Sequence, residues 1–289
     1  MSLEKLFYSS DNRLQLLWRI IIFISLLLLA IAPLLLINNS TLQFLGATVI
    51  LIISLYLNAR YIDKRAFSEY GLKCTNKTFH YSVVGILIGA ISVGLLLGVG
   101  YFTGTLAISK HIGTPDGQLL LLFGLKMFFV AIIEESLYRG YLFTNFYETF
   151  QSKGNSNNRF AFIAAVGVSS TLFGLAHFST NNASVISIGF LIINGIVWCI
   201  PFIITNNLGL SIGMHFSWNF FQSFFGFTMS GNKASDSLLI IKNIGHPIWT
   251  GGDYGPEAGL LGLLGFLSML LLSLVYLRVR SNSESVAED

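Results

Sequence analysis

Long apolar runs alternate with short polar breaks along most of the chain, and this pattern predicts membrane-spanning helices. A span needs about 20 predominantly apolar residues. Runs of that kind fall at 18–37, 42–57, 81–103, 118–150, 160–177, 183–204, 208–227 and 257–277. The break at 38–41 leaves room only for a tight hairpin. The break at 58–80 is polar and basic, and its middle, 66–72, has the character of a short amphipathic segment lying in the interface. Polar connections follow at 104–117, 151–158 and 230–256, the last rich in Gly and Asn. In the third run Gly85, Gly89, Gly94 and Gly98 recur every fourth or fifth residue, a small-residue stripe of the kind that lets helices approach closely in lipid. The expected fold is all-α: a polytopic integral membrane helical bundle of about eight transmembrane helices, a single membrane domain over 1–289 with a disordered acidic tail at 281–289.

Composition strengthens this reading. The chain is 53% hydrophobic and only 11% charged, against about 25% charged in soluble domains. No polar block is long enough to form a soluble domain. The net charge of +3 is small and dispersed, which suits loops at an anionic leaflet and argues against nucleic acid as a partner. Cys74 and Cys199 are far apart and form neither a CxxC pair nor a disulfide framework. The first run, flanked by Lys5, Arg13 and Arg19, lacks a small-residue cleavage site and is expected to be a retained span. Eight spans put both termini on one side. Most Lys and Arg lie in the N-terminal segment, 58–80, the 151–158 turn with its flank and the C-terminal tail, while the opposite loops carry only Lys110, Lys233 and Lys242. Positive charge gathers on the cytoplasmic side, so both termini are expected there.

Candidate chemistry centres on AIIEESLYRG at 131–140. Acids inside a membrane are costly and mark functional sites by default. On an α-helix Glu134 and Glu135 point about 100° apart and are expected to serve separate roles. Glu135 and Arg139 stand at i, i+4 in the favourable order for an ion pair, leaving Glu134 to face something else. His80, His111 and His246 lie in loops or at span ends, whereas His177 and His215 lie in apolar context. His215 and Asn219 share one helix face, which Ser211 extends. Glu134, His177, His215 and Asn219 therefore lie on three spans, and as buried polar groups they need partners. A carboxylate in dry surroundings suits general-base work; an imidazole can share its proton; an Asn amide and a second imidazole can stabilise an oxyanion. Together these make a peptide-bond hydrolase without a covalent nucleophile. No span carries an Asp to orient a serine triad, and the HExxH signature is absent. Glu134, His177 and His215 also match the donor types of a catalytic zinc site.

At these residues the chain resembles the CAAX protease and bacteriocin-processing (CPBP, or Abi) family of intramembrane endopeptidases. The motif Glu-Glu-x-x-x-Arg corresponds to Glu134, Glu135 and Arg139, Phe-x-x-x-His to Phe173 and His177, and His-x-x-x-Asn to His215 and Asn219. The resemblance covers about 118–227, the expected catalytic core, with weaker similarity around 69–73. It implies Glu134 as the base that activates water, assisted by His177; His215 and Asn219 as the oxyanion hole; and Glu135, Arg139 and Phe173 in support. The implied protein is a multi-pass hydrolase of a bacterial plasma membrane. It would cut a peptide or protein substrate near the cytoplasmic face, with prenylated or membrane-anchored substrates implied by the family's name. A metal-free glutamate mechanism is favoured over a zinc enzyme. The alternative is a non-catalytic membrane scaffold or bacteriocin-immunity protein that retains the fold. A transporter with an intramembrane proton-binding acid is disfavoured, since matching broken helices in two halves are not seen.

One geometric condition follows. Glu134 and His177 each lie some 21 residues, or about 32 Å, from the turn near Asn155. His215 is only about seven residues into its own span from the same side. A shared depth requires the hairpin of the fourth and fifth spans to protrude, or its helices to kink or tilt.

Overall fold

The computed structural model describes residues 7–8, 13–110, 114–151, 158–233 and 236–286. His111, the core of the 151–158 turn and the last three residues of the tail lie outside the described residues. The chain forms an all-α multi-pass membrane bundle. Helix α1 (Leu16–Ile31) runs into a 3-10 segment (Ala32–Leu36), and α2 is Ser40–Tyr61. A single 3-10 turn (Phe67–Tyr70) leads to α3 (Asn76–Phe102). Helix α4 (Gly117–Glu134) continues without a break through a π-helical segment (Glu135–Phe143) into α5 (Thr144–Phe150). Helices α6 (Arg159–Ala176), α7 (Val185–Thr205) and α8 (Gly209–Phe225) follow, and the long α10 (Leu260–Val286) comes after the short α9 (Pro247–Thr250).

Seven of these helical stretches are long and apolar enough to cross a membrane. The eighth expected span is α8, which has 17 residues and is buried along nearly its whole length. It carries Ser211, His215, Asn219 and Gln222 yet sits in the middle of the bundle, so its polar side chains meet protein. Helix α10 continues through 281–286, where a disordered tail was expected. The interfacial segment expected at 66–72 is only one 3-10 turn, with Tyr70 fully buried.

The polar connections are also more ordered than their composition suggests. Strand β1 (Leu106–Lys110) pairs antiparallel with β4 (Leu239–Asn243), and β2 (Thr228–Met229) with β3 (Asn232–Lys233). These ribbons close one end of the bundle.

Two features position α8. The first is its close packing on α3. A Cβ on Gly85 would come within 2.9 Å of the Met214 nitrogen, one on Gly89 would strike Ser217, and one on Gly213 would strike the Ser82 carbonyl. Gly94 and Gly98, the other half of the predicted stripe, face open space. The second is the turn before α8. Asn207 accepts from Gly209 N (2.8 Å) and donates to Thr78 Oγ1 (2.8 Å), and Leu208 N donates to the Gly71 carbonyl (3.1 Å).

The depth condition is met by protrusion. Phe143 packs on Phe202 (5.8 Å between ring centroids) and Phe162 (6.5 Å), while Gly140 lies against Tyr70 and Leu208. The α7–α8 turn is therefore level with 140–143, and α5 extends beyond it. A polar network holds the extended hairpin. Arg19 and Asp63, both buried, meet Asn145, while Glu148 pairs with Arg13 and Arg65. Asn145 Nδ2 donates to Asp63 Oδ2 (2.8 Å), and Tyr70 also donates to Asp63. Burial, together with the adjacent Asp63 charge, pushes the Tyr70 phenol well above its ordinary pKa.

Candidate active site

The π-helical segment begins at the second acid of the pair. Its i→i+5 bonding widens the helix, a deviation that recurs at functional sites. The expectation that the two glutamates face different partners does not hold, although both residues have α-helical backbone angles (Glu134 φ −71°, ψ −43°; Glu135 φ −65°, ψ −40°). Both face His215. Its Nδ1 lies 2.8 Å from Glu135 Oε1 and its Nε2 lies 3.7 Å from Glu134 Oε2. A carboxylate can only accept, so Nδ1 carries the proton that Glu135 receives.

Glu135 is fully buried and accepts a second bond from Arg139 Nη1 (3.0 Å), as the i, i+4 spacing predicted. Arg139, also fully buried, donates through Nη2 to the Gly195 carbonyl (3.1 Å) and lies over Phe173 (4.4 Å) and Trp198 (5.6 Å). Trp198 in turn stacks on His215, with ring centroids 4.0 Å apart and planes 21° apart. The imidazole is thus fixed by a carboxylate at one nitrogen and an indole against one face. Glu134 differs: its side chain is 23% exposed, and Oε2 makes no hydrogen bond with protein.

His177 caps the C-terminus of α6, and its Nδ1 donates to the Phe173 carbonyl (2.9 Å). That leaves Nε2 as the nitrogen with a lone pair in the neutral ring. Phe173 bridges the two histidines, 4.9 Å from the His177 ring and 6.3 Å from the His215 ring. Asn219 is buried one turn beyond His215 on α8, and its amide makes no hydrogen bond among the described residues. The structure therefore draws Glu134, Glu135, Arg139, Phe173 and His215 into direct contact, with His177 joined through Phe173 and Asn219 adjacent along α8.

The zinc alternative depends on three donors meeting. Among the described residues, no three His, Cys, Asp or Glu side chains gather closely enough to hold a metal ion. Glu134, His177 and His215 do not form a metal cradle in this arrangement.

Several residues of the surroundings escaped sequence reasoning. Trp198 and the Gly195 carbonyl come from a largely apolar span whose buried polar residue Asn194 stands next to Gly195. Glu257, placed at the start of a span, is buried and accepts from Trp218 Nε1 (3.1 Å) and from Ser230 N (2.8 Å) and Oγ (2.9 Å). Its one sequence signal is that an acid at the head of an apolar run needs a partner.

The chain has no match among curated proteins or among solved structures. Residues 116–221 match the family described as type II CAAX prenyl endopeptidase, Rce1-like. That stretch contains all three motifs and every residue of the cluster around His215.

Proposed function

We propose that the protein is a glutamate-type intramembrane endopeptidase with Glu134 as its general base. The observation that carries this reading is the asymmetry of the acid pair. Glu135 is fully buried with its Oε1 held by both Arg139 and His215, whereas Glu134 is part-exposed and its Oε2, beside the same imidazole, makes no hydrogen bond with protein. An acid so placed can accept a proton from water, and its buried neighbour keeps the ring oriented.

In the reaction a water oxygen bonds to the scissile carbonyl carbon as its proton passes to Glu134 Oε2. The carbonyl π pair moves onto oxygen, where the Asn219 amide and His215 Nε2, a donor once both ring nitrogens carry protons, stabilise it. The pair then re-forms the carbonyl, the C–N bond breaks, and the proton held by Glu134 goes to the leaving amine. His177, through Nε2, assists in orienting the water. Glu135 and Arg139 act as positioning residues, and Phe173 spaces the two rings.

The substrate is a peptide or protein cut near the cytoplasmic face, with a prenylated or otherwise membrane-anchored C-terminus as its class. The location is a bacterial plasma membrane with both termini cytoplasmic. The charge distribution supports this orientation: Arg13, Arg19 and Arg65 gather with α5 at one end of the bundle, opposite the ribbon-closed end. The test is cleavage of farnesylated and unmodified C-terminal peptides by purified protein in detergent, with and without a chelator. Cleavage that survives chelation and disappears in Glu134→Ala is the expected result. Loss on chelation with recovery on added zinc would replace this mechanism with a metal-dependent one.

A further inference from the structure

Glu257 is buried and takes no part in the chemistry above, yet its two oxygens reach in two directions. Oε1 accepts from Trp218 Nε1 (3.1 Å), and Oε2 accepts from Ser230 N (2.8 Å) and Oγ (2.9 Å). Trp218 belongs to α8 and immediately precedes Asn219. Successive residues of an α-helix point about 100° apart, so the indole is held from a side that Asn219 does not face. The bond thereby fixes the rotation of α8 about its axis, and with it the direction in which Asn219 points. The same indole is fully buried against Phe266, with ring centroids 4.8 Å apart.

The Ser230 side leads to His177. The Tyr254 phenol hydrogen-bonds to Ser230, and its oxygen lies 3.4 Å from Thr180 Oγ1. Thr180 Oγ1 donates to the His177 carbonyl (2.7 Å). The backbone supplies a second path. Gly231 N donates to the Tyr254 carbonyl (2.9 Å). At φ +77° Gly231 lies so close to the loop after His177 that a Cβ there would come within 1.7 Å of the Asn181 carbonyl oxygen. Asn181 Nδ2 also donates to Asn232 Oδ1 (3.2 Å). The loop that leaves His177 is thus seated on the β2–β3 turn, and Glu257 holds that turn.

We propose that Glu257 is a positioning residue that sets His177, at the end of α6, against Asn219 on α8. It touches no reacting atom. One carboxylate accepts from both sides at once, so the group that orients the water and the group that stabilises the oxyanion keep a fixed separation. A glutamine cannot do the same, because its amide nitrogen only donates and would face the Ser230 N–H. This inference rests on the endopeptidase reading above.

The test measures kcat, KM and the thermal midpoint of full-length protein in detergent, on the farnesylated and unmodified peptides, with rates taken well below each midpoint. The variants are Glu257→Gln, Trp218→Phe, Ser230→Ala, Asp63→Asn and Glu134→Gln. A misplacement of about 1 Å can cost about 10²-fold in rate. Glu257→Gln is therefore expected to lower kcat by roughly 10–10²-fold with KM near wild type. Trp218→Phe and Ser230→Ala each cut one tie and should lower kcat in the same sense. Adding Ser230→Ala to Glu257→Gln should cost little more, because both sever the same tie. Asp63→Asn replaces a similarly buried acid at the other end of the bundle, so it should lower the midpoint and leave kcat unchanged. Wild-type kcat in Glu257→Gln, whatever its midpoint, overturns the role of Glu257 and leaves the endopeptidase reading intact. An equal kcat loss in Asp63→Asn does the same, since loss of any buried acid would then suffice. Should Glu257→Gln not fold, wild-type kcat in both Trp218→Phe and Ser230→Ala overturns the proposal. Peptides that wild type does not cleave, or cleaves equally in Glu134→Gln, overturn the parent reading and this inference with it.

Discussion

Glu135 and His215, 80 residues apart in the chain, meet at 2.8 Å inside the bundle. The bond makes Glu135 the hub of a buried set, because the same oxygen also holds the Arg139 guanidinium. Removing one partner from a buried pair leaves an uncompensated charge and costs about 3–5 kcal/mol. Glu135→Ala is therefore expected to lower the thermal midpoint in detergent sharply, through loss of fold as well as loss of ring orientation.

Glu134→Gln should behave in the opposite way. Its Oε2 has no protein hydrogen bond to lose, so the thermal midpoint should stay close to wild type. Peptide cleavage should fall by roughly 10²–10⁴-fold, the range for removal of a general base. A matched pair of melting curves and rate measurements on the two glutamate variants separates the support from the base.

The glycine stripe of α3 yields a paired test. Gly89→Ala would strike Ser217, at the contact that sets α8, whereas Gly94→Ala meets nothing. Overpacking costs about 1–3 kcal/mol, so Gly89→Ala should destabilise by that order and impair activity. Gly94→Ala should be neutral, or slightly stabilising because Ala is the better helix former. Equal melting temperatures for the two variants would mean that the α3–α8 contact is not as close as described.

The network at the protruding hairpin makes a separate prediction. Asp63 is fully buried and takes hydrogen bonds from Asn145 and Tyr70 beside Arg19. Asp63→Ala should destabilise by about 3–5 kcal/mol, visible as protease sensitivity around α5. Asp63→Asn, which preserves shape, should lose less.

Much of this fold was legible because membrane spans announce themselves by length and apolarity: all eight helices lie close to the runs that predicted them. Helix α8 was legible from the same run although it is short and polar along one face, since Phe and Leu flank its polar positions. The parts that were missed depend on long-range pairing. β1 and β4 are separated by more than a hundred residues and read locally as polar loops. Asp63, surrounded by basic residues, looked like part of a solvated linker, yet it is buried because Arg19 and Asn145 arrive from other helices. At the site, residue types and their spacing pointed to the correct neighbours, and Glu135–Arg139 pairs as expected. Two adjacent acids facing one ring did not follow from spacing, because they reach different nitrogens of an imidazole that another helix, α8, brings to them.

The widened turn at Glu135–Phe143 makes this site a property of chain length as much as of residue identity. An α-helix advances about 100° per residue, so deleting a single residue between Gly140 and Phe143 would let the helix relax to regular pitch and rotate the glutamates against α5, which the Asp63 network holds in place. All three motifs and the apolarity of the span would survive such a deletion. In a chain one residue shorter there, the two acids would no longer converge on His215.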